Sequence, residues 1–315
     1  MRSTFVRFLV ELAEDDPRIV LLTGDLGFTV LEPFAERFPD RFFNVGVAEQ
    51  NMVGIATGLA EAGFVPFVYS IATFATLRPY EFIRNGPVQH RLPVRIVGVG
   101  GGFDYGPNGA THHALEDIAI MRVQPGLTVL APADFEQARS ALRAATDIAG
   151  PVYFRLGKDE VATVPGLEGR FEVGRAERIG EGTDVVVVAT GSIAVEAARA
   201  VEGLAERGVV ASLVVAACLS PAPTGDLVDA LATAGLAVTV EAHYEAGGLG
   251  SLVCEVVAEH ALPCRVLRRA VGDGHHGVSG SDRYLRGLHG LTADAIVAAA
   301  LEALDLGAVG NDRKG

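Results

Sequence analysis

The chain has 315 residues, 49% of them hydrophobic and 21% charged, which is room for two ordinary domains with a sizeable core and argues against a disordered segment. Its 39 acidic and 26 basic side chains leave a formal charge of −13, which argues against nucleic acid or an anionic membrane surface as the main partner. A local group of Arg and Lys could still hold a phosphorylated small molecule. Cys218, Cys254 and Cys264 have neither CxxC nor metal-ligand spacing and read as buried thiols of a reducing compartment. Phe5, Phe8, Leu9 and Leu12 fall at helical spacing and acidic residues follow at once, so the start reads as an amphipathic helix rather than a signal peptide. No apolar run is expected to reach membrane-spanning length, and a soluble cytoplasmic protein is the expectation.

In chain order, β-branched runs alternate with helical patterns. Strands are expected at 18–22, 43–47, 65–69, 93–99, 128–131 and 152–155, with helices at about 49–62, 77–88 and 134–146 between them. Residues 158–182, rich in Gly and Glu, read as a linker. A second series follows, with strands at 184–189, 209–216, 237–241 and 265–270, and helices at 193–207, 225–234, 247–260 and 292–304. Strands separated by helices imply parallel pairing with helices on both faces. The fold class is therefore α/β with two doubly wound domains, residues 1–165 and 180–308.

Chemistry is concentrated in a few segments. Asn44-Val-Gly-Val-Ala-Glu-Gln-Asn51 ends a strand and places Glu49 in the first turn of a helix, where an acidic residue is favoured by the helix dipole alone. Ala72-Thr73-Phe74 follows the next strand, with Leu77 and Tyr80 close behind. Gly109-Ala-Thr-His-His113 closes a glycine-rich loop that begins at Gly100. Adjacent histidines rarely point at one ion, and no third ligand at zinc spacing is near, so a metal site there is disfavoured. Arg155 ends Gly150-Pro-Val-Tyr-Phe-Arg155 and reads equally as a structural ion pair. Gly247-Gly-Leu-Gly-Ser251 opens a helix and could hold an anion, on weak evidence.

Together and in this order, these segments resemble the transketolase superfamily of thiamine-diphosphate enzymes. The resemblance runs along most of the chain and continues into Glu241-Ala-His-Tyr-Glu-Ala-Gly-Gly-Leu-Gly-Ser251 and Gly290-Leu-Thr-Ala-Asp-Ala-Ile296, which look like the superfamily's carboxyl-terminal domain. It implies that Glu49 hydrogen-bonds the cofactor aminopyrimidine, a role that needs its carboxyl to hold or share a proton. It places Phe74, Leu77 and Tyr80 around that ring, Leu77 standing where transketolases usually have an aromatic. It makes His112 a catalytic histidine, aided by His113 in place of a glutamine, and turns Arg155 toward a substrate phosphate. Two positions that grip the sugar phosphate in relatives fall here at Gly100 and Gly101, so a donor without that phosphate is a hypothesis, with Arg155, Lys158 or Arg78 as compensating cations.

The superfamily's diphosphate and metal motif, Gly-Asp-Gly with a later Asn, has no counterpart here, because Gly272-Asp-Gly274 lies in the second domain without that Asn. The resemblance thus implies that the diphosphate and Mg²⁺ are held mainly by a companion amino-terminal transketolase-like subunit, in a heterotetramer. The expected activity is ketol transfer by a split transketolase. Alternatives are the beta subunit of a 2-oxo acid dehydrogenase or decarboxylase, a 1-deoxyxylulose-5-phosphate-synthase-like enzyme, and a non-catalytic partner subunit, against which Glu49 and His112 together count.

Overall fold

The computed structural model describes residues 1–158, 162–272 and 277–311, except the side chains of 306–311. The first half holds strands β1 (Ile19–Thr23), β2 (Phe42–Asn44), β3 (Val65–Ile71), β4 (Arg95–Val99), β5 (Thr128–Leu130) and β6 (Val152–Leu156). Its helices are α1 (Arg2–Asp15), α2 (Glu32–Arg37), α3 (Glu49–Glu61), α4 (Ala72–Leu77), α5 (Tyr80–Ile83), α6 (Asp117–Arg122) and α7 (Phe135–Thr146). The second half adds β7 (Glu177–Ile179), β8 (Val185–Ala189), β9 (Ala211–Val215), β10 (Cys218–Ser220), β11 (Leu236–Tyr244) and β12 (Arg265–Val271). Its helices are α8 (Ala194–Ala205), α9 (Thr224–Leu231), α10 (Leu249–Glu259), α11 (Asp282–Leu288) and α12 (Ala293–Asn311).

One sheet has the order β10-β5-β6-β4-β3-β1-β2 and is parallel except for β10; the other, β12-β11-β8-β9-β7, is parallel except for β7. Central strands buried along their whole length, such as Val185–Ala189 and Ile19–Thr23, need apolar side chains on both faces, which is why they read as near-continuous apolar runs. Parallel pairing sends the carboxyl ends of β1, β2, β3 and β4 to one edge, and ligands bind at that edge in open α/β sheets. The segments that follow those strands carry Glu49, Phe74 and His112.

Four details differ from the sequence reading. The expected linker contains β7, an antiparallel edge strand of the second sheet. Strand β10, in a stretch where no element was expected, leaves its own half and pairs with β5 in the first sheet. The helix expected over 77–88 is broken at Pro79, which has no N–H to give, between the end of α4 and α5; it then continues as a π turn, 84–88, that contains Pro87. Residues 282–305 are long and apolar enough to cross a membrane by composition, with mean hydropathy 1.3. They form two helices, α11 and α12; Leu285, Ile296, Val297 and Ala300 of these, with Leu291 between them, are buried against the second sheet.

Candidate functional site

The site starts from a clamp between two strand ends. Asn44, last in β2, accepts from the Asp25 and Gly46 N–H groups (3.1 and 3.0 Å) and donates to the Asp25 carboxylate (3.0 Å). This ties the loop after β1 to the loop that leads into α3. Glu49 is the first residue of α3 and is only 2% exposed. Its carboxylate does not cap its own helix. It turns toward β3 and α4, where Ser70 Oγ donates to Oε1 at 3.1 Å and Arg78 Nη1 donates to Oε1 and Oε2 at 2.9 and 2.8 Å. A dipole-stabilised surface glutamate would do neither, so the helix-start explanation of Glu49 is insufficient.

Arg78 leads on to the rings. Its guanidinium carbon lies 3.8 Å from the Phe74 centroid, and Phe74 meets the His112 ring edge-on at 5.0 Å. Thr111 Oγ1 is 3.0 Å from His112 Nδ1, and Tyr105 is the next ring, 6.4 Å away. Burial, then the charges of Arg78 and His113, hold His112 below its ordinary value, so the imidazole is neutral at neutral pH. Beside Glu49 a cavity of about 480 Å³ is lined by Val47, Ala48, Gln50, Asn51 and Arg78. Glu49, Phe74 and His112 thus come together as the sequence suggested. Ser70 and Arg78 complete the line; the signal for Arg78 was its place four residues after Phe74, on one side of a helical turn.

The other expected residues sit differently. Leu77, the last residue of α4, is 47% exposed. Tyr80 gives its hydroxyl to the Ile120 carbonyl (3.0 Å) and accepts from Gln124, which fastens α5 to α6. His113 is buried, with Nε2 3.4 Å from the Gly106 carbonyl and its ring edge-on to Phe103. Arg155 makes the structural ion pair that its sequence position equally allowed: it is 5% exposed, pairs with Asp117 at 2.7 Å, and donates to the Ala114 and Ala242 carbonyls. Tyr153 donates to the same Asp117 oxygen at 2.6 Å. A buried charge needs a partner, and Asp117 supplies it for Arg155. Gly100 and Gly101 have a steric reason to be bare. A Cβ on Gly100 would run into the Tyr105 ring, and one on Gly101 would lie 2.6 Å from the Arg155 guanidinium.

The glycine turn before α10 is already filled. Glu241 accepts from the Leu249 and Gly250 N–H groups, each at 2.7 Å, so this helix start holds the chain's own carboxylate. A larger cavity of about 710 Å³ opens between α1 and α7, where Arg7, Arg139 and Arg143 face Glu11, Glu136 and Glu168; it has no residue in common with the Glu49 site. Among the described residues no group of three His, Cys, Asp or Glu could hold a metal; Asp273 and Gly274 of the Gly-Asp-Gly lie outside them.

Residues 1–163 match the pattern of the transketolase pyrimidine binding domain, and residues 174–296 that of the transketolase C-terminal domain. The chain is 35% identical to one of the subunits of an apulose-4-phosphate transketolase of Actinobacillus succinogenes, covering 94% of this chain and 95% of that one. It is 37% identical to a 6-deoxy-6-sulfo-D-fructose transketolase subunit of Clostridium sp., covering 96% and 94%. A solved structure described as a split gene transketolase, inactive beta4 tetramer, superposes with a TM-score of 0.86 at 40% identity, covering 97% of this chain and 98% of that one. A buried glutamate at a helix start, an aromatic face and a neutral histidine on a doubly wound sheet agree with these matches: the chain belongs to the transketolase family and is similar along nearly its whole length to subunits of split transketolases.

Proposed function

We propose that this chain is the pyrimidine-binding subunit of a two-polypeptide transketolase that moves a two-carbon ketol unit from a ketose, or ketose phosphate, to an aldose acceptor. The observation that carries the reading is Glu49, a carboxylate 2% exposed at the start of α3, turned away from its own helix and joined through Arg78 to the Phe74 ring. These residues fit the aminopyrimidine of thiamine diphosphate: a buried acceptor for a ring nitrogen, a flat face at Phe74 and an adjoining cavity. When bound, the cofactor supplies the carbon nucleophile and electron sink that ketol transfer needs.

The chain's own groups then have defined tasks. Glu49 holds or shares a proton at the ring nitrogen, Phe74 and Leu77 fix the ring plane, and neutral His112 holds donor hydroxyls by hydrogen bonds. Tyr80 supports this floor through α6. The reading gives the diphosphate and Mg²⁺ mainly to an amino-terminal companion subunit, in a cytoplasmic heterotetramer, because Gly272-Asp-Gly274 lies in the second half without the later Asn of the superfamily's motif. The two transketolase relatives act, by their names, on different sugars, so the donor is read from this site instead. Gly100 and Gly101 are bare and Arg155 is committed to Asp117, which favours a donor whose phosphate contributes little; a phosphorylated donor with a greatly lowered KM would contradict that.

The test is a ketol-transfer assay with thiamine diphosphate, Mg²⁺ and a panel of ketoses, on the chain alone and mixed with its companion. Activity is expected only in the mixture. Glu49→Ala should lower kcat by roughly 10²–10⁴-fold, the usual worth of a proton-handling side chain, and His112→Ala should lower it without unfolding the protein. Decarboxylation of a 2-oxo acid without ketose turnover would instead make this the beta subunit of a 2-oxo acid dehydrogenase.

A further inference from the structure

Arg78 occupies both surfaces that the proposed function reserves for a ligand. One nitrogen reaches both oxygens of Glu49, and the guanidinium lies 3.8 Å from the centroid of Phe74. A guanidinium is flat and delocalised, donates hydrogen bonds in its plane, and stacks on aromatic faces. An aminopyrimidine is also flat, and it too would need an in-plane bond to the carboxylate and a ring to lie against. Both groups cannot use Glu49 and Phe74 at once.

The two ends of the ion pair are unequally free. The Arg78 side chain is 41% exposed and the Glu49 side chain 2%. Arg78 can swing into solvent and be hydrated there. Glu49 cannot follow, and without Arg78 its remaining side-chain partner is Ser70 at 3.1 Å. A buried carboxylate left in that state needs a new donor or a proton. A ring nitrogen that shares a proton with it meets that need.

We propose that Arg78 is a latch on the pyrimidine pocket: it fills the site of the isolated chain from within, and it must withdraw before a flat heterocycle can enter. The inference rests on the preceding assignment of Glu49 and Phe74. Arg78 is a positioning residue in this scheme, setting when Glu49 is available. It also explains how a carboxylate kept buried for a cofactor stays paired while the cofactor is absent. A site that is open in only a fraction of molecules binds more weakly by that fraction.

The probe is 4-amino-5-hydroxymethyl-2-methylpyrimidine, titrated calorimetrically into the isolated full chain as wild type, Arg78→Met and Arg78→Lys. Arg78→Met should bind it at least about tenfold more tightly than wild type, the gain expected if the latch is closed in nine molecules of ten. Arg78→Lys should fall between, because an ammonium keeps the charge but not the flat stacking face. A purely structural Arg78 would lower the melting midpoint of both variants and leave probe binding unimproved, and that result overturns the latch. Thiamine diphosphate with Mg²⁺ titrated into the assembled two-chain enzyme separates the two ideas. Binding there that Glu49→Ala removes, with no gain in Arg78→Met, sinks the latch alone. No binding in any form, assembled enzyme included, sinks the assignment of the site and the latch with it.

Discussion

Asp117 and Arg155 show how one buried pair can hold two parts of a fold together. Arg155 gives its Nε to Asp117, and its Nη2 reaches the Ala242 carbonyl in β11, so this pair joins the two halves of the chain. Asp117 is fully buried and also accepts from Tyr153. Replacing one partner strands the other charge in the interior, which costs about 3–5 kcal/mol. Asp117→Asn should therefore lower the unfolding free energy by about that amount, while the double replacement Asp117→Asn with Arg155→Met should recover much of it. Denaturant midpoints of the single and double variants decide the point; a double variant no better than the worse single would refute the pairing. Glu49, Phe74 and His112 were legible because their motifs lie close to strand ends and in a characteristic order. The fates of Arg78 and Arg155 were not, since each is set by a partner 29 or 38 residues away that sequence spacing does not reveal.

Among the elements, α10 begins without a capping side chain of its own, because Gly247 and Gly248 precede it. Glu241, on the neighbouring strand β11, supplies the missing acceptor to two of its first N–H groups. Burial is the main reason that this carboxyl is pushed up from its ordinary range, and the nearby His243 and the two N–H bonds pull it back. Glu241→Ala removes acceptors from two buried donors at a helix start and should cost about 1–3 kcal/mol. Urea unfolding of that variant measures the loss, and an unchanged midpoint would mean that water replaces the carboxylate. The long strands and helices around this junction were readable from their apolar periods. The three-residue strands β7 and β10 were not, because nothing inside Glu177–Ile179 or Cys218–Ser220 marks them as strands; β9 and β5 do so by offering a free edge.

For the whole molecule, the contact between halves carries a charge whose proton affinity differs between folded and unfolded chain. Asp104, in the loop after β4, is raised from its ordinary range to about 6, first by burial and then by Asp282 of α11. The Lys158 N–H at 2.7 Å, Arg286 of α11 and Arg155 of β6 lower it again, but do not offset the burial. A carboxyl whose folded pKa lies above its unfolded one binds protons more tightly when folded. Its contribution to stability is complete below about pH 4, declines as pH rises, and is lost once pH passes about 6. Between pH 5 and pH 7.5 that one group should remove about 1–2 kcal/mol. Asp104→Asn keeps an acceptor for Lys158 and has no charge to bury, so its unfolding midpoint should fall less than that of the wild type across the same interval. The variant should also be the more stable of the two at pH 7.5. Equal slopes for the two proteins would show that Asp104 is ionised in the folded chain at both pH values, held so by Arg286, and that the junction of the two halves does not sense pH through this residue.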